Sequence, residues 1–284
     1  MFTRRSFLAG AAASAALCAT RSMAKPKAAK IKIGVCSKDL PGVVKAGFEY
    51  LEPAAADIAA MTEEQFKEFS SAVMASPIRC EAFNSFIRRP DLKVVGENVP
   101  KDALHDYMEG CLARCRALGA TVVVWGSAGS RNVPEGFSRD RANEQIAEFL
   151  HSAGEIGKKH QVVVAIEPLR HQESNILNTG GESLAMVRRV KHPNVRMIID
   201  YFHMREENED PRILETARKE IVHMHFANPH GRVWPHSMSE DDVYADFFRL
   251  VKKTGFAGGI SIEGRGTFDQ DAAASLAFFR QALA

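Results

Sequence analysis

The feature that most constrains the fold of this chain is a regular alternation of short apolar segments with longer amphipathic ones. Apolar or β-branched runs, which predict strands, occur at residues 31–37, 48–53, 78–86, 121–126, 162–168, 195–203, 221–228 and 259–264. Segments with helical periodicity follow them, at residues 40–47, 62–75, 100–118, 139–160, 181–190, 211–220, 239–254 and 269–283. This alternation predicts an α/β protein with a parallel sheet.

Eight strand–helix units in about 260 residues match the size and rhythm of a (β/α)8 TIM barrel. A doubly wound open sheet would require a glycine-rich phosphate loop after the first strand, and residues 35–40 read VCSKDL, without one. No linker or shift in composition divides the chain. We therefore predict a single barrel domain over residues 25–284, with catalytic side chains at the C-terminal ends of its strands.

Residues 1–24 are predicted to be an export signal and not part of the barrel. The sequence TRRSFL at residues 3–8 resembles the twin-arginine signal of bacteria. An alanine-rich apolar run and a small-residue site, SMA at 22–24, follow it. The run is too short for a permanent membrane span. These features predict export by the twin-arginine route, with the mature protein in the periplasm.

Charge excludes one class of partner. The whole chain carries +2, and removal of the three arginines of residues 1–24 leaves −1. Binding to nucleic acid needs a basic surplus, so no nucleic-acid partner is expected. The cysteines that follow the signal show no metal-finger spacing, and they lie in apolar or helical segments. They are expected to be buried free thiols.

Polar side chains interrupt the apolar runs of four consecutive strands near their C-terminal ends. Strands five, six and eight carry Glu167, Asp200 and Glu263, and strand seven carries His223 and His225. A single acid in such a position is usually a helix cap or half of an ion pair. Four in series favour a cation site, because a buried carboxylate is costly without a counter-charge. Three carboxylates and one histidine suit one divalent ion, Mn²⁺, Mg²⁺ or Co²⁺, and Zn²⁺ is also compatible.

These motifs, IEP at 166–168, DYFH at 200–203, HMH at 223–225 and SIEG at 261–264, resemble those of the xylose isomerase-like barrels. That superfamily groups sugar phosphate isomerases and epimerases, ketose 3-epimerases among them. The resemblance covers nearly the whole predicted mature chain. It implies that the metal ligands are Glu167, Asp200, His225 and Glu263, which leaves His223 in a second layer or in the core.

Further substrate contacts are implied by the resemblance, and others by residues at the ends of strands. In ketose 3-epimerases the residues that match Glu173 and His203 contact substrate oxygens. Those enzymes have an arginine six residues beyond the metal histidine, where this chain has Gly231, and Arg232 comes one residue later. Asn84 and Trp125 end strands three and four, and both are predicted to contact the sugar, Trp125 by stacking on its face.

The implied activity is proton transfer at the carbon next to a carbonyl of a keto sugar or related polyol. A divalent ion acts there as a Lewis acid, and epimerisation needs one base on each face of the carbon. Glu167 and Glu263 are the candidate pair. The predicted function is therefore a metal-dependent sugar isomerase or epimerase with a small carbohydrate substrate.

Three alternatives stay open at this point. A lyase or hydratase acting on 3-keto-glycosides or inososes would use the same metal and bases. A nuclease of the endonuclease IV type would need extra histidines from strands three and four, which this chain lacks. A non-catalytic sugar-binding barrel would need no base. Barrels of this type often dimerise, and a homodimer is compatible with the sequence, but no segment specifies an interface.

Overall fold

The computed structural model describes residues 30–284, so the predicted export segment lies outside the described residues. The strands are β1 (Lys32–Cys36), β2 (Tyr50–Glu52), β3 (Ala82–Phe83), β4 (Val122–Trp125), β5 (Val163–Ile166), β6 (Val195–Asp200), β7 (Ile221–Phe226) and β8 (Gly259–Ile262). The helices are α1 (Leu40–Ala46), α2 (Ala55–Ala60), α3 (Glu63–Ala75), α4 (Lys101–Ala117), α5 (Ala128–Arg131), α6 (Arg139–His160), α7 (Gly180–Val190), α8 (Tyr201–Glu206), α9 (Ile213–Thr216), α10 (Tyr244–Thr254) and α11 (Phe268–Leu283).

The eight strands form one parallel sheet in the order β2-β1-β8-β7-β6-β5-β4-β3. Backbone hydrogen bonds join its two edges. Asn84 N–H donates to the Pro53 carbonyl at 3.2 Å, and Ala55 N–H donates to the Asn84 carbonyl at 2.8 Å. Ala54 and Asn84 thereby form a parallel bridge between the ends of β2 and β3. The sheet closes into the predicted (β/α)8 barrel, with the helices packed outside it.

Residues at every second position of a strand point to the same face, and in a barrel one of these faces is the interior. Below the C-terminal mouth, a small cluster of apolar side chains fills the interior, and we call it the lower layer. Its members come from five of the strands: Tyr50, Ala82, Val122, Val124, Ala165 and Ile198. The residue two places further along several strands is polar and lies at the C-terminal mouth. The same alternation that fills the core therefore also delivers side chains to the site.

Side-chain caps explain where some of the helices begin. Thr62 caps α3 in a capping box with Gln65. Strand six is shorter than predicted, because the Asp200 side chain accepts hydrogen bonds from the N–H groups of Phe202 and His203 and starts helix α8 there. The prediction of a strand continuing to residue 203 is wrong for this reason. The predicted helix at 211–220 is reduced to α9.

The cysteines of the described region, Cys36, Cys80, Cys111 and Cys115, are free thiols, and all but the half-buried Cys36 are buried. Within residues 30–284, no helix is long and apolar enough to cross a membrane.

Tyr50 fills the floor of the barrel, and two glycines make room for it. A Cβ atom on Gly34 would lie 2.3 Å from the Tyr50 ring, and one on Gly259 would lie 2.6 Å from its hydroxyl oxygen. The Tyr50 hydroxyl is 2.7 Å from the hydroxyl of Ser261 on β8. Tyr50 thus links β2 to the next two strands of the sheet, β1 and β8.

We predict that Gly34→Ala lowers the free energy of unfolding by about 1–3 kcal/mol, because the added methyl group overpacks against Tyr50. Urea denaturation measures the change. Gly110→Ala is the matched control, since Gly110 is exposed in α4 and an added Cβ would have no neighbour within 4 Å. The control is expected to stabilise by about 0.5–1 kcal/mol. Equal unfolding midpoints for Gly34→Ala and the native protein would contradict the role given to the glycine.

Candidate functional site

Four side chains from consecutive strand ends converge at the C-terminal mouth of the barrel. They belong to Glu167, Asp200, His225 and Glu263, and one ligand atom of each lies within 4.8 Å of one ligand atom of every other. The first three are buried, and the side chain of Glu263 is 23% exposed. These four residues, called the ligand quartet below, are the set that the sequence motifs indicate.

The two carboxylate oxygens of Asp200 have different surroundings. Its Oδ1 atom accepts the N–H of Phe202 at 2.7 Å and so caps helix α8. Its Oδ2 atom is buried without any hydrogen-bond partner among the described residues. A buried carboxylate oxygen without a hydrogen-bond partner is expensive, so a cation or donor that approached this atom closely would stabilise it. The helix cap uses one oxygen of the carboxylate and leaves the other available to a cation.

The position of Glu167 depends on two residues beyond β4. A Cβ atom on Gly126 would lie 1.7 Å from Glu167 Oε2, so only glycine leaves space for the carboxylate. Arg131, fully buried in α5, donates to the main-chain carbonyls of Trp125 and Glu167 at 3.0 and 2.8 Å. Burial lowers the pKa of Arg131 to about 10. A buried cation therefore lies behind the Glu167 backbone.

The imidazole of His225 lies between carboxylates on both sides. Its Nδ1 atom is 2.8 Å from Glu167 Oε1 and 3.3 Å from Glu263 Oε2. Its Nε2 atom is 2.8 Å from Glu52 Oε1. Nδ1 is thus the nitrogen that faces the quartet, and Glu52 receives the hydrogen of Nε2. A histidine that binds a metal is usually oriented in this way by a carboxylate on its other nitrogen.

Glu52 is the functional residue that the sequence interpretation missed. It ends β2, is completely buried, and also lies 2.8 Å from His223 Nε2 through its other oxygen. The sequence does contain a signal for it, since Glu52 ends an apolar run just as Glu167 does. His223 therefore lies in a second layer, behind Glu52, as one of the two expected outcomes for the histidine pair. Burial raises the pKa of Glu52, but the charges of His225 and His223 outweigh it and keep the carboxylate ionised.

Electrostatics differ from one member of the quartet to another. Burial raises the pKa of Glu167, and it raises the pKa of Asp200 to about 6. Burial acts in the same direction on Glu263, but the charges of His225 and Arg232 outweigh it and lower its pKa to about 2. For His225, burial lowers the pKa, and the surrounding carboxylates raise it further than burial lowers it. The imidazole thus carries the positive charge among these acids when no other cation is bound.

Arg232 reaches the site although it is one residue later than the family spacing. Its Nη2 atom is 2.9 Å from Glu263 Oε2 and 3.8 Å from Asp200 Oδ2, and its Nη1 donates to Glu173 at 3.3 Å. Gly231 and Arg232 both have positive φ, +96° and +51°, and this turn directs the side chain inward. Arg232 and Glu173 therefore occupy one wall of the mouth.

His203 lies on α8 with its ring fully buried beside Asp200. Its Nδ1 atom accepts the backbone N–H of Arg170 at 3.2 Å, so the ring hydrogen belongs on Nε2. Burial lowers the pKa of His203, which favours this neutral form. Nε2 lies 3.6 Å from Asp200 Oδ2 and has no hydrogen-bond partner among the described residues. It is a donor available at the quartet.

Asn84 and Trp125, the last two residues predicted to contact the sugar, lie in different surroundings. Asn84 is at the mouth, where its side-chain amide is 3.5 Å from the Glu52 carbonyl. Trp125 is fully buried, with its ring centroid 4.9 Å from that of Phe149 on α6. Because Val124 points into the barrel, the next residue points outward. The prediction that Trp125 stacks on a sugar is therefore wrong, and the residue packs β4 against α6.

The residues present fit a divalent cation. The quartet supplies three carboxylates and one imidazole nitrogen, and Glu52 and Glu173 are two further acids close to it. The guanidinium of Arg232 pairs with Glu263 and Glu173, and that of Arg170 pairs with Glu173. Oxygen-rich donor sets of this kind suit hard or borderline divalent ions. The unsatisfied oxygen of Asp200 is a further sign that a cation belongs there.

Comparisons with known proteins agree with this architecture. The L-ribulose 3-epimerase of Methylomonas sp. is 25% identical over 232 residues, covering 80% of this chain and 77% of that protein. The inosose isomerase of Halalkalibacterium halodurans is 24% identical over 243 residues, covering 80% of this chain and 81% of that protein.

A crystal structure of D-psicose 3-epimerase in the presence of D-fructose shares the fold, with a TM-score of 0.79 and 18% identity. The match covers 89% of this chain and 99% of that one. A family profile described as "Xylose isomerase-like TIM barrel" matches residues 42–282. The match extends over most of the chain, and the protein belongs to the xylose isomerase-like TIM-barrel family.

Proposed function

We propose that this protein is a sugar isomerase or epimerase that depends on one divalent metal ion. It moves a proton at the carbon next to the carbonyl of a keto sugar or related polyol. The observation that carries the proposal is the ligand quartet, in which two glutamates, Glu167 and Glu263, share one cation site. The relatives named as an L-ribulose epimerase and an inosose isomerase perform reactions of this class.

The quartet would hold the metal, with His225 binding through Nδ1 because Glu52 occupies its other nitrogen. The ion, when bound, supplies Lewis-acid stabilisation of negative charge on the substrate's carbonyl oxygen. Manganese, magnesium or cobalt matches the carboxylate-rich donor set best, and zinc is compatible with it.

Glu167 and Glu263 are the proposed proton-transfer pair. They follow β5 and β8, which are separated in the sheet by β6 and β7, so they reach the mouth from different sides. In an epimerisation one carboxylate removes the proton from one face of the carbon and the other returns it to the opposite face. An isomerisation uses the same pair but delivers the proton to the neighbouring carbon.

The remaining polar groups of the mouth orient the sugar. The free Nε2–H of His203 donates to a substrate oxygen beside Asp200. Arg232 and Glu173 contact each other at 3.3 Å and offer a donor and an acceptor to adjacent hydroxyl groups. Together these groups hold the reacting carbon between the two glutamates, and such positioning is a large part of the rate gain in catalysis.

We predict that the purified protein binds one divalent ion per chain and that removal of the ion abolishes proton exchange. The measurement is elemental analysis, followed by solvent deuterium incorporation into keto sugars before and after chelation. Re-addition of Mn²⁺, Mg²⁺, Co²⁺ and Zn²⁺ in turn ranks the metals by the rate of deuterium incorporation that each restores. Full exchange by protein without metal would refute the proposed mechanism.

We predict that Glu263→Gln lowers deuterium incorporation by about 10²- to 10⁴-fold, because glutamine cannot accept the proton. Glu148→Gln is the control, since Glu148 is exposed on α6 and pairs with Lys101. Mass spectrometry of the products separates the alternatives: an epimer or isomer keeps the substrate's mass, whereas a lyase product has lost water or an aglycone. Retained exchange in Glu263→Gln would exclude this residue as a base.

We predict that Glu52→Gln weakens metal binding by about 10- to 100-fold, because His225 loses the carboxylate that orients it. Equilibrium dialysis with Mn²⁺ measures the affinity without depending on turnover. Glu81→Gln is a suitable control, because Glu81 pairs with Lys32 at the opposite end of the barrel. Unchanged affinity in a folded Glu52→Gln variant would show that Glu52 does not act through His225.

A further inference from the structure

A cysteine lies beside the ligand quartet, and the proposed proton transfer does not use it. Cys36 ends β1, and the strand register pairs it with Glu52 at the end of β2. Gly34, two residues earlier, faces Tyr50 inside the barrel, so Cys36 also points to the interior. The Cys36 sulfur, a Glu52 oxygen and a ring nitrogen of His225 lie within 4.8 Å of one another. These three residues are called the thiol triad below.

The thiol triad offers different donor atoms from those of the quartet. The quartet has three carboxylates and one imidazole, which suit hard ions such as Mn²⁺ and Mg²⁺. The triad has one sulfur, one nitrogen and one carboxylate, a set typical of Zn²⁺ and of softer ions such as Cd²⁺. Its members come from β1, β2 and β7, so no spacing in the sequence reveals it. Cys36 is half-buried and the other three cysteines of residues 30–284 are buried, so Cys36 is the most accessible of these thiols.

An ion in the triad would replace a hydrogen between two atoms that are already close. Glu52 Oε1 lies 2.8 Å from His225 Nε2 and accepts its hydrogen. Zinc binds such atoms at about 2.0–2.1 Å, so a tetrahedral ion between them needs a separation of about 3.3 Å, which is about 0.5 Å more than they have. Binding forms bonds to the Cys36 sulfur, the Glu52 oxygen and Nε2. The thiol hydrogen and the Nε2 hydrogen leave to the solvent as two protons.

The two sites share one imidazole ring. With an ion on Nε2 of His225, the remaining ring hydrogen is on Nδ1, which faces Glu167 Oε1 at 2.8 Å and Glu263 Oε2 at 3.3 Å. An imidazole with one hydrogen has one lone pair, so Nδ1 then has none for an ion in the quartet. Simultaneous occupation would require removal of the last ring hydrogen. An ion in the thiol triad therefore competes with an ion in the quartet.

We propose that the thiol triad is a second metal site, for a thiophilic divalent ion such as Zn²⁺ or Cd²⁺, and that an ion bound there opposes binding at the quartet. The inference rests on the proposed function in one respect, because it takes the quartet to be the site of the catalytic ion. It assigns that ion to the hard metals, Mn²⁺, Mg²⁺ or Co²⁺. Thiophilic ions are then inhibitors that act through Cys36.

Titration of the manganese-loaded protein with Cd²⁺ tests both parts of the inference. All proteins carry Cys18→Ser, because Cys18 lies outside the described residues and would add a further thiol. Ultraviolet absorption reports the cadmium–thiolate bond through its charge-transfer band, and electron paramagnetic resonance counts the Mn²⁺ released into solution. One Cd²⁺ per chain is expected to produce the band and to release one Mn²⁺ per chain.

Substitutions locate the bound cadmium. Cys36→Ala and Cys36→Ser are each expected to abolish the band and to raise the Cd²⁺ concentration that releases Mn²⁺ by about tenfold or more, because the soft ligand is lost. Cys80→Ala is the matched control, since Cys80 is fully buried in the core before β3 begins, and it is expected to keep both signals. A parent protein without the band would overturn the inference, and so would a band that persists in both Cys36 variants. A band that forms while all Mn²⁺ stays bound would overturn it as well, because the two sites would then be independent.

Deuterium exchange into keto sugars by the manganese-loaded protein separates this inference from the proposed function. If a sugar exchanges but Cd²⁺ gives no band that depends on Cys36, the thiol triad is refuted and the proposed function stands. If no sugar exchanges but Cd²⁺ gives that band and releases Mn²⁺, the thiol triad stands and the proposed function fails.

Discussion

The imidazole of His225, held between Glu52 and Glu167, is the interaction on which the rest of the site depends. Each of its nitrogens lies 2.8 Å from a carboxylate oxygen inside the barrel, where isolated charges would be costly. The arrangement fixes which nitrogen faces the quartet and holds two acids from opposite parts of the sheet against one ring. Glu52 is also hydrogen-bonded to His223, so a chain of hydrogen bonds runs from His225 at the mouth through Glu52 to His223 nearer the lower layer of the barrel.

The barrel interior therefore has two layers, an apolar one below and an acidic one at the mouth. The lower layer is apolar and filled by Tyr50, which needs the space left by Gly34 and Gly259. The upper layer places several acids within a few ångströms of one another, and burial alone disfavours their charged forms. A cation bound by the quartet would offset this repulsion.

Much of the fold and site was accessible from the sequence because both depend on periodicity. The strand–helix alternation identifies the barrel, and acids at the ends of apolar runs identify Glu167, Asp200 and Glu263. The same rule applied to strand two would have found Glu52. The outward orientation of Trp125 and the inward turn at Arg232 were not accessible, since they depend on strand phase and on a local positive φ. The early end of β6 at Asp200 depends on a side-chain cap that competes with strand formation.

The cap formed by Asp200 has a consequence for how this site can change. Asp200 caps one short helix with Oδ1, its Oδ2 atom has no hydrogen-bond partner among residues 30–284, and the same helix carries His203 three positions later. The 3.6 Å distance between Asp200 Oδ2 and the Nε2 atom of His203 is therefore set by a single turn of backbone, not by two independent loops. Replacing Asp200 would remove the cap of the helix as well as one member of the ligand quartet.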